Sequence, residues 1–308
     1  MRFRARITRE RLPTLWQFVR ELDMVAREVV VLLRHEELLL TAVAPGERMM
    51  QFCSVPAGRQ LFEDFRVESR ADNTIVLLVQ VENLVQALKA AVQCAESVTL
   101  KLTKRGASPF LMLEIKEPGG GSAGGGGGGG GAGGGTTTQD VPVKMLTADD
   151  ARRYSNPWIP KADAQLMLPH ALSVLAVLER MRAVAKHVRV RIDSAAGGAS
   201  STLELEVGNE SVSMRTHVPG NTPLGRAGAG AGVPPLSQAA AGHCEVLVSA
   251  KDLCRVLKAA TALDPAAAPW VLSLERSALV LHSFLADQSG TITYLVSPVD
   301  AGVSCGGD

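Results

Sequence analysis

The sequence has few aromatic residues, few cysteines and almost no net charge. Its 308 residues include only 3 Trp, 2 Tyr and 7 Phe, so the hydrophobic core must be built mainly from aliphatic side chains. Five irregularly spaced cysteines, an odd number, argue against a disulfide framework and favour a reducing compartment. Because the formal net charge is +1, any binding to nucleic acid must come from the local placement of Lys and Arg.

Several functional signatures are also missing. No stretch approaches roughly 18 uninterrupted apolar residues, so we expect no membrane-spanning helix, and the first residues lack the apolar core of a signal peptide. The cysteines and histidines lack the spacing of metal ligands, and the sequence contains no P-loop and no nucleophile–base pattern. We therefore expect no cofactor, no metal and no catalytic activity.

One segment consists almost entirely of glycine. Between Gly119 and Gly135, 14 of 17 residues are glycine. Glycine loses more backbone entropy on ordering than any other residue, and such runs are typical of flexible linkers. The run therefore predicts two domains, residues 1–117 and 139–303, joined by a connector over 118–138. A second low-complexity stretch, 219–242, is predicted to be a loop within the second domain.

The remaining sequence alternates mainly with a period of two residues. Arg2–Ile7 places Phe3, Ala5 and Ile7 on one face and arginines on the other, as expected of a half-buried strand. The second and fourth of the helical segments are similar in sequence, which indicates that one structural unit is used repeatedly. The pattern predicts an α+β fold of two similar domains, each with two helices packed on antiparallel sheets. Four segments have helical periodicity: Arg11–Arg27, Glu82–Ala95, Pro169–Lys186 and Lys251–Leu263.

Motifs along the whole chain point to a known family. Together they resemble sliding clamps of the PCNA type, and more narrowly the Hus-type subunit of the heterotrimeric Rad/Hus checkpoint clamp. The motifs that carry the resemblance are Met1–Ile7, Leu84–Ala91 with Val98–Thr103, Asp140–Met145, Leu168–Met181 and Thr293–Pro298.

The resemblance implies a function and a set of partners. It implies a non-catalytic subunit of a ring that encircles double-stranded DNA without sequence preference in the nuclear DNA-damage checkpoint. The implied partners are two Rad-type clamp subunits, a clamp loader, repair enzymes and the checkpoint kinase pathway. The alternatives are a replicative clamp that trimerises with itself and an enzyme on an antiparallel α+β fold.

The basic residues of the helices are the candidate DNA-facing groups. At about 100° per residue, Lys251, Arg255 and Lys258 share one stripe of the fourth helix, opposite its apolar residues. Cations placed in this way attract phosphates regardless of sequence, although an ordinary solvated helix face has the same pattern. The other candidates are Arg180, Arg182 and Lys186 on the third helix, Arg20 and Arg27 on the first, and Lys89 on the second.

Clamp rings close by pairing the edge strands of neighbouring subunits. The motif order suggests edges near Leu100–Phe110 in the first domain and near His170–Arg191 or Gly208–Thr216 in the second. In PCNA-like clamps the interdomain connector covers a pocket for client peptides. A connector of glycine would have no side chains to form that pocket's wall, which makes peptide capture there doubtful.

Overall fold

The computed structural model of the chain describes most of its residues in two compact units. The units comprise residues 1–41 with 55–155, and residues 42–54 with 156–308. The described residues are 1–43, 49–56, 61–118, 135–147, 149–150, 154, 163–168, 170–194, 201–220, 242–263, 270–274, 278–284 and 290–299.

Among the described residues, four helices and seventeen strands have defined bounds. The helices are α1 (Leu12–Val25), α2 (Val81–Cys94), α3 (Ala171–Val184) and α4 (Ala250–Leu263). The strands are β1 (Arg2–Thr8), β2 (Glu28–Leu33), β3 (Glu37–Val43), β4 (Met49–Pro56), β5 (Asp64–Glu68), β6 (Ile75–Gln80), β7 (Ser97–Arg105), β8 (Ser108–Lys116), β9 (Thr136–Met145), β10 (Ala164–Met167), β11 (His187–Ser194), β12 (Ser201–Gly208), β13 (Ser213–Gly220), β14 (Gly242–Ser249), β15 (Trp270–Leu274), β16 (Ala278–Phe284) and β17 (Thr291–Val296).

The first unit packs α1 and α2 against an antiparallel sheet. Its strand order is β3-β2-β6-β9-β8-β7-β1-β5. The alternation predicted for Arg2–Ile7 is present, since Phe3, Ala5 and Ile7 are buried while the intervening arginines are exposed. Each helix begins with a favourable residue: Pro13 lies in the first turn of α1 and Glu82 in that of α2. The apolar core between helices and sheet is mainly aliphatic, as the composition predicts, and includes Leu15, Val19, Leu84, Leu88, Leu100 and Leu111 beside Phe3.

The second unit repeats this arrangement. It contains the strand orders β10-β15-β16-β17-β4 and β13-β12-β11-β14, with α3 and α4 in contact with each other. Leu178 of α3 and Leu257 of α4 meet Val190 and Leu205 of the four-stranded sheet around a small apolar space. The repeat predicted from the helix sequences is therefore visible among the described residues, where α1 and α2 of the first unit correspond to α3 and α4 of the second.

The glycine run does not join the two units, which corrects the predicted boundaries. The strands on either side of it, β8 and β9, pair with each other from Phe110↔Pro142 to Lys116↔Thr136. The Glu117 N–H also donates to the Gly135 carbonyl at 3.0 Å. The run thus connects two strands of one hairpin within the first unit, and the division along the chain falls between residues 155 and 156. A lack of side chains marks a segment as outside the core, but it does not show which elements that segment connects.

One related expectation changes with this correction, and other predicted segments are not described. The doubt about peptide capture assumed a connector of glycine, and that assumption no longer applies. Residues 119–134, and residues 221–241 of the second low-complexity stretch, lie outside the described residues, as does the predicted end of the second domain at residue 303.

Shortening the glycine run should leave the first unit folded. We expect that replacing residues 119–134 by four glycines raises the free energy of unfolding by about 1 kcal/mol, because loop closure depends only weakly on loop length. Urea unfolding followed by circular dichroism measures this change. Deleting Thr136–Thr138 instead removes residues that pair with Glu114–Lys116, so this control should be clearly destabilised. If the variant with four glycines does not fold, the glycine run has a structural role and is not a passive loop.

The predicted sheet edges are only partly correct. Leu100–Phe110 falls in β7 and β8, which lie inside the sheet of the first unit, and β11 lies between β12 and β14. Gly208–Thr216 does contain an edge, because β13 pairs with β12 alone among the described strands.

Candidate nucleic-acid interface

Helix α3 separates an apolar face from a basic one. Its buried residues are Ala171, Val174, Leu178 and Met181. Arg180 and Arg182 are exposed on the helix, and Lys186 is exposed just beyond its end. The Lys186 carbonyl accepts a hydrogen bond from the Ala250 N–H at 3.0 Å, so this lysine lies where α4 begins.

Helix α4 presents the stripe that its periodicity predicts. Lys251 and Lys258 are exposed and Arg255 is half-buried, 4.0 Å from Asp252. On the opposite face the side chains are fully buried: Leu253, Val256, Leu257 and Ala260. The geometry of α4 therefore places two of its three candidate cations in solvent and holds the third beside a carboxylate.

An ion pair joins α3 to α4. Lys258 Nζ lies 2.7 Å from Glu179 Oε1. The hydrogen bond and charge of Lys258, with a smaller contribution from Arg182, hold the pKa of the Glu179 carboxyl below its usual range. Glu179 therefore stays ionised and competes with any phosphate for Lys258. Sequence reasoning missed this competition, since nothing in the local pattern of either helix shows which residues meet between them.

The helices of the first unit are less basic. Helix α1 exposes Arg20, whose guanidinium lies 5.5 Å from the centre of the Trp16 ring, and Arg27 is exposed just after the helix ends. The Arg27 carbonyl accepts the N–H of Val81, the first residue of α2, at 2.9 Å. On α2, Lys89 is the one cation of an exposed polar stripe that also contains Glu82, Gln86 and Gln93.

On the four-stranded sheet of the second unit, the arginines are paired with carboxylates. Arg191 lies 2.7 Å from Glu204 and 2.6 Å from Glu245, and Arg189 lies 3.0 Å from Glu245. Hydrogen bonding to Arg191 lowers the pKa of the Glu245 carboxyl. These arginines are therefore paired with carboxylates of the neighbouring strands β12 and β14.

Most of the helix cations have no such partner. Within the described part of the chain, no carboxylate lies within 4.0 Å of Arg180, Arg182, Lys186 or Lys251. The same holds there for Arg20, Arg27 and Lys89. Unpaired Lys and Arg at the surface can exchange counterions for phosphates without first breaking an internal ion pair.

Removing Glu179 should strengthen contact with DNA. We expect Glu179→Gln to free Lys258 for a phosphate, raising affinity several-fold at low salt and steepening the salt slope by about 0.9. A salt titration of DNA binding by the assembled protein measures both. Glu82→Gln on α2 serves as the matched control, because it removes the same charge without releasing a lysine. If both variants gain the same affinity for DNA, the gain comes from the change in net charge and not from the release of Lys258.

Other kinds of site are not evident in the described residues. No group of three or more His, Cys, Asp or Glu is placed to hold a metal there. Within the same residues, no helix is long and apolar enough to cross a membrane.

Comparison with known sequences gives a consistent match. A family model described as Hus1-like protein matches residues 1–300. Checkpoint protein hus1 of Schizosaccharomyces pombe is 27% identical over 216 residues, which cover 70% of this chain and 69% of that protein. The checkpoint protein hus1 homolog of Dictyostelium discoideum is 25% identical over 222 residues, or 71% and 74% of the two chains. Human checkpoint protein HUS1 is 27% identical over 167 residues, covering 53% and 54%.

Comparison with solved structures shows the fold. PCNA of Thermococcus kodakaraensis superimposes with a TM-score of 0.62 at 14% identity, covering 96% of this chain and 100% of that one. PCNA of Entamoeba histolytica gives a TM-score of 0.63 at 11% identity, covering 96% and 98%. The predicted α+β clamp fold of the PCNA type is thereby confirmed.

Proposed function

The chain belongs to the Hus1-like family, and from that premise we propose that it encircles DNA together with two different, Rad-type subunits. It is a subunit of the checkpoint clamp, the ring that acts in the DNA-damage response. The proposal adds to this role the residues that face DNA, the partners that complete the ring and the absence of a chemical step.

One observation supports the DNA-facing assignment above all others. The arginines of the β11–β14 sheet are held by carboxylates, whereas most of the candidate cations on the helices are unpaired. Unpaired cations on helices whose other face is buried form a surface suited to the phosphates of a duplex. Such contacts carry no sequence information, so a ring that uses them remains able to slide.

The contributions of the four helices are unequal in this proposal. Helices α3 and α4 supply the main contacts through Arg180, Arg182, Lys186 and Lys251, and Arg255 contributes partially. Lys258 contributes only when Glu179 releases it. Helices α1 and α2 add Arg20, Arg27 and Lys89, which is a weaker set.

The remaining parts of the proposal concern what the ring does. This chain carries out no reaction and acts as part of a tether. As a subunit of the ring, it is loaded onto double-stranded DNA in the nucleus by a clamp loader. There it tethers repair enzymes and factors of the checkpoint kinase pathway. No residue is assigned a catalytic role.

Assembly distinguishes this proposal from the replicative alternative. We expect the purified chain alone to remain monomeric at micromolar concentration, and to form a 1:1:1 complex when mixed with two Rad-type subunits. Size-exclusion chromatography with light scattering gives the masses. A stable homotrimer of the chain alone would overturn the proposal in favour of a replicative clamp.

A further inference from the structure

The sheet of the first unit carries three cations side by side in one row. The strand register pairs Arg66 of β5 with Arg4 of β1, and Arg4 with Lys101 of β7. Paired residues of an antiparallel sheet lie on the same face, and neighbouring strands are about 5 Å apart. Arg4 and Arg66 are exposed and Lys101 is half-buried, so this face meets solvent. Because like charges directly opposite each other destabilise a sheet, the row favours the binding of an anion.

A single carboxylate serves both arginines of this row. Arg66 Nε lies 3.2 Å from Asp64 Oδ1, and Arg4 Nε lies 3.8 Å from Asp64 Oδ2. The two guanidinium groups therefore converge on one small anion. Arg2 adds a third exposed cation on the same face, two residues before Arg4. Among the described residues, no carboxylate lies within 4.0 Å of Arg2.

Lys101 differs from the arginines because it already pairs with Glu114 of β8. The hydrogen bond from Lys101 lowers the pKa of the Glu114 carboxyl, and the charge of Arg4 adds to this effect. Glu114 therefore stays ionised and keeps Lys101 occupied. The cations available to an outside anion form what we call the arginine cluster: Arg2, Arg4 and Arg66.

An apolar strip, formed by Phe110 and Met112 of β8, lies beside the arginine cluster. The register continues the row from Lys101 to Met112, so the strip is on the same face. Both of its side chains are half-buried, whereas Leu111 between them is buried on the opposite face. Two strand spacings separate Arg4 from Met112, which is about 10 Å. An extended chain covers this distance in about three residues.

These features fit a phosphorylated protein segment better than nucleic acid. A phosphate monoester carries close to two negative charges and three acceptor oxygens, and proteins bind it with clustered arginines whose forked guanidinium groups match its geometry. A duplex would also bring further phosphates against nearby carboxylates, since Glu68 lies directly opposite Arg2 and Glu114 lies beside Lys101. It would leave the apolar strip without a contact.

We propose that the arginine cluster and the apolar strip bind an extended, phosphorylated segment of a partner protein. The phosphate lies at Arg4 and Arg66, and an apolar side chain about three residues away lies at Met112. The inference rests on the tethering role in the proposed function and deepens it, because it gives the chemistry of one factor that the subunit holds. Asp64 occupies the same guanidinium groups until a phosphate replaces it, which limits the affinity for weaker anions.

Peptide binding to the full-length chain tests this inference. The probe is a short fluorescent peptide with one phosphoserine and a leucine three residues to either side, and fluorescence anisotropy gives its dissociation constant. We expect Arg4→Gln and Arg66→Gln each to weaken binding about tenfold, because each removes a charge-assisted hydrogen bond. Asp64→Asn frees both guanidinium groups and should tighten binding several-fold.

The controls separate this site from general surface charge. Arg6→Gln removes the same charge from the same face of β1, but Arg6 pairs with Glu63 at 3.3 Å, so this variant should bind the phosphopeptide as the parent chain does. Met112→Ala should weaken binding of the leucine peptide, but not of a phosphopeptide with serine in place of both leucines. Thermal melting checks the folding of each variant, and Arg66→Gln, at an exposed position, carries the test should Arg4→Gln unfold.

Three results would overturn the inference. They are equal binding of the phosphorylated and unphosphorylated peptides, an equal loss from Arg6→Gln and Arg4→Gln, and tighter binding of a DNA duplex than of the phosphopeptide at the arginine cluster. The proposed function is tested separately by ring assembly. A chain that binds the phosphopeptide but forms no ring with Rad-type subunits would overturn the proposed function alone, whereas a ring whose subunit does not bind the phosphopeptide would overturn this inference alone.

Discussion

Glutamate at Arg180, Arg182, Lys186 and Lys251 together is expected to abolish retention of the assembled ring on DNA at physiological salt. Each of these cations is exposed and has no carboxylate within 4.0 Å among the described residues, so each is available to a phosphate. Every lost contact should reduce the salt slope by about 0.9, and four losses should lower affinity on the order of 100-fold or more. Folding should be spared, since substitutions at such surface positions usually change stability by less than about 0.5 kcal/mol.

The first strand provides the comparison for this experiment. Arg2, Arg4 and Arg6 are three cations to compare with the four of the helix set, but Arg4 lies 3.8 Å from Asp64 and Arg6 lies 3.3 Å from Glu63. The corresponding glutamate variants should leave retention nearly unchanged. Retention is measured on circular DNA across a salt titration, after assembly of each ring has been verified. Equal losses from the strand and helix sets would show that general surface charge, and not a helix-lined pore, binds the DNA.

The helices were predictable from the sequence because their signal is local. Aliphatic residues three and four apart predict Arg11–Arg27 and Glu82–Ala95, and the structure has helices at Leu12–Val25 and Val81–Cys94. The exposed basic stripe of α4 follows from the same periodicity. A helix that buries one face fixes its other face too, so exposure of Lys251 and Lys258 needs no knowledge of the rest of the fold.

The features that the sequence did not reveal are contacts between distant segments. The pairing of β8 with β9 decides that the glycine run closes a hairpin, and nothing within the run carries that information. The sheet edge at β13 likewise depends on which strands pair. Composition and periodicity describe the faces of a strand, whereas its two edges are described only by its neighbours.

In the candidate DNA-facing site too, the sequence predicts the exposed stripe, whereas contacts between helices are known only from the structure. Sequence reasoning grouped Lys258 with the DNA-facing cations because it lies on the correct stripe. The structure agrees on the stripe but places Glu179 of α3 against Lys258, which withdraws that charge from the exposed set. An ion pair between two helices depends on their packing, so only the structure identifies it.

Burial of Glu21 in α1 is another feature that depends on packing. This residue is only 2% exposed, and its Oε2 atom has no hydrogen-bond partner among the residues that the structure describes. Burial raises the pKa of its carboxyl to about 8, although the charge of Arg20 acts in the opposite direction. Glu21 is therefore mostly protonated in the folded protein at pH 7, whereas it ionises near pH 4.5 when the chain unfolds.

Replacing Glu21 by Gln should therefore stabilise the protein at neutral pH and remove part of its pH dependence. The folded state keeps a proton that the unfolded state has lost between pH 4.5 and about 8, so the stability of the parent chain falls as pH rises through this window. Glutamine mimics the protonated acid and avoids the loss, which gives the variant an advantage of a few kcal/mol by pH 8 and none below pH 4.5. Urea unfolding from pH 5 to 8.5 measures the difference.

Asp23→Asn removes an exposed carboxylate from the same helix and should change stability by less than about 0.5 kcal/mol at every pH. A Glu21→Gln advantage that is constant with pH would mean that the carboxyl is already ionised in the fold and that burial does not hold its proton.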